Sequence, residues 1–151
     1  MTLPPVFAST IQETQLWLKQ LRDAAGADNE QEAYAVLRAV LHQLRDRLTP
    51  DEAVQLGAQL PMLVRGFYFE GWVPSKTPEK IRHADEFIHG VRGMLRGHEA
   101  VAVDRAIEAV FVLLNAELSA GEIDDVINML PAEIKALWPK AARTRAGSHS
   151  G

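Results

Sequence analysis

Ala33-Tyr34-Ala35-Val36-Leu37-Arg38-Ala39-Val40-Leu41-His42-Gln43-Leu44 is the stretch from which the fold is read. Ala33, Val36, Leu37, Val40, Leu41, Leu44 and Leu48 recur at alternating steps of three and four, which puts an apolar stripe on one face of a helix. Seventy residues on, the corresponding positions are Val103, Ala106, Ile107, Val110, Phe111, Leu114 and Leu118, and all are apolar. Asp28 precedes the first stripe as a predicted N-cap. His42 is predicted to lie with Arg38, Arg45 and Thr49 on the side opposite the apolar face, as an exposed or half-buried helix histidine rather than a catalytic one, since no triad partner is evident.

The same offset extends in both directions. Thr49-Pro50-Asp51-Glu52 and Ser119-Ala120-Gly121-Glu122 are capping boxes, in which a hydroxyl and a glutamate three residues later satisfy orphan backbone donors. Pro50 suits the first helical position, because its missing N–H has no helical partner there. Both segments run to Leu-Pro, at 60–61 and 130–131, where the proline forces a break. Identity between 10–69 and 80–139 is nine of sixty, but apolar character agrees where packing demands it.

The first helix of each unit is predicted from Thr10-Ile11-Gln12-Glu13 and from Thr77-Pro78. Ile11, Trp17, Leu18 and Leu21 form one stripe, and Ile81, Phe87, Ile88 and Val91 the other. Gly26 and Gly97 stand just past their ends, where a left-handed cap favours glycine. The expected architecture is all-α: two tandem pseudo-symmetric repeats of about four helices each, in a single helical domain. The expected divisions are an extension at 1–9, repeat one at 10–70, a linker at 71–79, repeat two at 80–139, and a disordered tail at 140–151.

Composition excludes several classes. Apolar and charged fractions of 47% and 24% are those of a globular chain. A net charge of −4 lacks the basic footprint of a nucleic-acid binder. The absence of cysteine removes disulfides, thiolate metal sites and a cysteine nucleophile. Neither a signal peptide nor a run of roughly 20 apolar residues is present, so a soluble, cytoplasmic protein is expected.

Val36 to Leu44, Leu48 to Ala53, the string Ala58-Gln59-Leu60-Pro61-Met62-Leu63-Val64-Arg65-Gly66-Phe67-Tyr68-Phe69-Glu70-Gly71-Trp72, and Leu130 to Pro139 together resemble the bacterial domain-of-unknown-function family 2267. The resemblance covers roughly residues 10–139. It implies a helical bacterial domain, sometimes joined to other modules, with no assigned reaction, cofactor or catalytic residue.

Three groups of residues are candidates for function. Glu86 and His89 have the Glu-x-x-His spacing of di-iron bundles, but the equivalent Leu16 and Lys19 provide no second half, so a solvated helix face is the better reading. Gly90, Gly93 and Gly97 match neither a phosphate loop nor a dinucleotide fingerprint. The third candidate is an aromatic patch over 62–72, where Leu63, Tyr68, Phe69 and Trp72, rimmed by Arg65, are more apolar than their counterparts; Leu63 corresponds to Glu133. Such a segment is either core between the repeats or the surface for a protein partner or homodimer. With no catalytic constellation, the expected function is a non-enzymatic interaction or accessory module without cofactor, nucleic acid or membrane. The alternative is a small-ligand or metal-binding protein with its site in the groove between repeats.

Overall fold

A computed structural model describes residues 2–80 and 83–149, and these are helical without a strand. The helices are α1 (Pro5–Ala25), α2 (Glu30–Arg45), α3 (Pro50–Ala58), α4 (Met62–Phe69), α5 (Ala84–Met94), α6 (Val103–Glu117), α7 (Ala120–Met129), α8 (Ala132–Lys135) and α9 (Lys140–His149), with a 3-10 turn at Pro74–Lys76. No helix is long and apolar enough to cross a membrane among the described residues.

α2 is central, packing against α1, α4, α5 and α6. Its apolar stripe is buried as expected, and so are His42 and Arg45 on the side expected to face water. The correction has a local cause: α4 ends over that side. His42 Nε2 lies 2.6 Å from the Phe67 carbonyl, and Arg45 Nη1 donates to the carbonyls of Tyr68 (2.7 Å) and Glu70 (2.8 Å). The two side chains thus satisfy the last carbonyls of a short helix, which have no partner of their own. The N-cap of α2 is Asn29 rather than Asp28, its side chain accepting from the Glu32 amide at 2.9 Å.

α1 begins at Pro5 and runs unbroken through Thr10, so no helix starts at the expected capping box. Thr10 Oγ1 instead accepts from the Leu63 amide at 3.0 Å. It thereby caps α4, whose own N-cap, Pro61, has no side-chain acceptor. Trp17 and Leu21 are buried, whereas Ile11 is exposed. α1 closes on Gly26 at φ +70°, with Arg105 Nε donating to the Ala24 carbonyl at 3.0 Å.

In the second half, α5 starts at Ala84, not at Thr77-Pro78. Glu133 fixes this start, accepting from the Ala84 amide at 3.2 Å and meeting His83 Nδ1 at 2.7 Å. Ile81 lies outside the described residues. Residues 140–149, expected to be a tail, form α9, with Ala142 and Ala146 buried. The two alanines lie four apart on one helix face and α9 packs on α7, with Arg145 Nε donating to Asp124 at 2.8 Å. The short apolar side chains were too weak a sequence signal for a helix.

α3 and α7 meet in an antiparallel seam between the halves. Ser119 and Gln59 exchange two hydrogen bonds, of 3.0 and 3.1 Å, at one end. At the other, the Thr49 amide approaches Met129 Sδ at 3.4 Å. Glu52 and Glu122 face each other between them.

Candidate functional site

The residues expected to form one patch over 62–72 are divided between two sides of α4. Tyr68 is fully buried and donates its hydroxyl to the Ala53 carbonyl at 2.7 Å. Burial pushes its hydroxyl pKa up. Arg65 does not rim a surface: its guanidinium donates to the carbonyls of Gly57, Ala58 and Leu60, closing the end of α3. Phe69 is half-buried against α3, and a Cβ on Gly57 would stand only 2.7 Å from its ring. Trp72, also half-buried, packs on Phe69 with ring centroids 5.3 Å apart. Tyr68 and Arg65 are therefore committed to the fold, because both donate to backbone carbonyls of α3 and the turn that follows it.

Leu63 faces the other way. With Met62 it remains exposed beside α1, to which the Thr10 hydrogen bond ties it. Between α1, α2 and α4 lies a groove of about 490 Å³, lined by Thr14, Leu18, Tyr34, Leu63, Gly66, Phe67 and Glu70. Tyr34 packs edge-on to Phe67 with centroids 5.1 Å apart. The Thr14 hydroxyl is buried in its wall without a hydrogen-bond partner. Along α1, Phe7 and Ile11 continue the apolar surface one turn apart, with Leu3 just ahead of the helix; all three are exposed, Phe7 at 48%. No charged residue occurs from Thr2 to Gln12.

The sequence did carry a signal for this surface. Phe7, Ile11 and Leu18 share a helix face, but reading Thr10 as a helix start assigned Phe7 to an extension.

A second groove of about 620 Å³ separates α2 from α5, lined by Gln43, Arg47, Glu79, Asp85, Glu86, His89 and Gly90. Glu86 and His89 are exposed there. Arg47 is buried, its guanidinium 5.1 Å from the Phe87 ring centroid. Among the described residues, the side chains that bring three metal-ligating groups together are Glu52, Glu122 and Asp125 rather than Glu86 and His89.

In the second half a groove lies between α5, α6 and the start of α9, lined in part by Ile88, Asp104, Glu108, Val112, Leu137 and Lys140. Position for position, Tyr34 becomes Asp104 and Glu70 becomes Lys140, while Leu63 becomes Glu133. Positions 34 and 63 are thus uncharged in the first half, whereas 104 and 133 are acidic in the second.

The family model described as an uncharacterized conserved protein (DUF2267) matches residues 14–137. No curated protein matches the chain.

Proposed function

The chain belongs to the uncharacterised family DUF2267, and we propose that it is a non-enzymatic interaction module that self-associates through the face formed by α1 and α4. The carrying observation is the exposed, charge-free row of Leu3, Phe7 and Ile11 running into the Leu63 groove. In the second half Asp104 and Glu133 stand where the first has Tyr34 and Leu63, so helix packing in such a unit does not require uncharged residues at these positions. Two further features favour a second copy as the occupant. A chain of net charge −4 approaches its like most easily through a neutral face. A helix stripe beside an apolar groove also allows the reciprocal contacts of a two-fold dimer, each stripe entering the other groove.

The same reading includes two tandem units related by the 70-residue offset. It is supported by the pairing of Thr49 with Met129 and Ser119 with Gln59, since 119 − 49 and 129 − 59 are both 70. On this account the units share a scaffold, and the first has kept the apolar groove for association.

Sedimentation of the wild type and of Phe7→Asp combined with Leu63→Asp tests the proposal. The wild type is expected to sediment above the 16.7 kDa of one chain and the variant as a monomer with unchanged helical circular dichroism. Each buried anchor is worth about 1.5–3 kcal/mol, so two charges suffice to separate the copies. A wild type that stays monomeric at high micromolar concentration, or a variant that associates equally well, would overturn it.

A further inference from the structure

Glu52 and Glu122 occupy the same position in their helices, the third residue after the N-cap hydroxyl. Each is 6% exposed, and their carboxyl oxygens lie within 4.8 Å of one another. In both, Oε1 is buried with no hydrogen-bond partner. Two carboxylates cannot both stay ionised at such a distance in a place that water does not reach: each desolvates the other's charge and repels it. A carboxyl that keeps its proton becomes a donor, and its neighbour is the acceptor beside it.

Around the pair, the cations Arg45 and Arg145 are already engaged elsewhere. From α7 come Asp125, exposed at the rim, and Asp124, which Arg145 of α9 engages. From α4 comes Tyr68, whose hydroxyl donates to the Ala53 carbonyl. Arg45 of α2 is held by Asp46 at 2.9 Å and by the Tyr68 and Glu70 carbonyls. Asp51 of α3 and Glu117 at the end of α6 are exposed and acidic. Of these groups, the cations Arg45 and Arg145 already have partners and the remaining charged ones are acidic, which favours retention of the proton.

We propose that Glu52 and Glu122 share one proton across the α3–α7 seam, and that its loss loosens the seam, making the pair a pH-sensitive latch between the two halves. Two polar contacts flank the pair, the Gln59–Ser119 exchange at one end and the Thr49–Met129 contact at the other.

The sign follows from the direction of the shift. Burial, then the Glu52 hydrogen bond and charge, pushes the Glu122 carboxyl from 4.5 up to about 8. A raised folded-state pKa contributes stability that is complete below the unfolded value and disappears as pH rises through the folded one. The window of loss runs from about pH 4.5 to about pH 8.

The test is the urea midpoint of the full chain between about pH 6 and about pH 9, for the wild type, Glu122→Gln and Glu52→Gln. Glutamine keeps the shape and supplies a permanent donor. The wild-type midpoint is expected to fall across this range relative to both variants. In parallel, carbon-detected NMR of the wild-type glutamate carboxyls is expected to show one titrating near the alkaline end of the window, a result that holds even if a variant fails to fold. Parallel profiles in all three proteins, or no carboxyl titrating above the ordinary glutamate range, would overturn the proposal. So would a rise of the wild-type midpoint at about pH 8 on adding Mn²⁺ or Mg²⁺ that both glutamine variants lack, because a cation rather than a proton would then join the pair.

Discussion

At His42, one buried ring decides how the end of a helix is finished. Its Nε2–H donates to the Phe67 carbonyl at 2.6 Å, and burial is the largest cause lowering its pKa from 6.5, with Arg45 and Arg38 adding to the effect. A lowered folded-state pKa gives stability that is present above 6.5 and lost as pH falls. His42→Gln retains a donor and loses the titration. The wild-type urea midpoint is therefore expected to drop relative to this variant between about pH 7 and about pH 5. Equal profiles would show that the ring is not held neutral. Thr10 works on the same scale. Thr10→Val removes the oxygen that caps α4 while preserving shape, with an expected loss of about 0.5–2 kcal/mol by chemical denaturation. No loss would mean that the Leu63 amide finds water equally good. The capping hydroxyls at 49 and 119 were legible from local spacing; the glutamates at 52 and 122 were misassigned as caps, since the Thr49 and Ser119 amides reach Met129 and Gln59 and the two carboxyls face each other. Thr10 was not legible, because its hydroxyl serves an amide 53 residues away and spacing carries no information on such partners.

Among the helices, those with long apolar side chains at regular steps were readable and those without were not. α2 and α6 have seven-residue stripes of Val, Leu, Ile, Ala and Phe, and their cores lie where the periodicity puts them. The beginning of α5 was misplaced because Thr77-Pro78 has the local features of a helix start, whereas the actual start depends on Glu133 from the far side of the second half. α9 was missed because it buries two alanines rather than large side chains. This helix carries its own prediction. Ala146→Asp places a carboxylate against α7 and is expected to lower stability by at least about 1–3 kcal/mol, the scale of an overpacked core position. Chemical denaturation would measure it. A change within about 0.5 kcal/mol, as at an ordinary surface position, would mean that residues 140–149 do not dock.

Over the whole molecule, the sequence distinguished an apolar segment in the first half from a charged one in the second, through Leu63 and Glu133. It did not tell which side of α4 would be free. Tyr68, Phe69 and Trp72 turn toward α3, and the open side is completed by residues of α1 and α2 far away along the chain. A surface assembled from three separate segments is visible only once the chain has folded. The absence of cysteine makes that surface directly testable. A nitroxide on Ala8→Cys, exposed beside Phe7, can be mixed as unlabelled-nitrogen protein with ¹⁵N-labelled wild type, so that any broadening arises between copies. The account predicts broadened amide signals at Tyr34, Leu63 and Gly66 of the ¹⁵N chain. Unchanged signals there, or broadening confined to the far side around Val112, would contradict it.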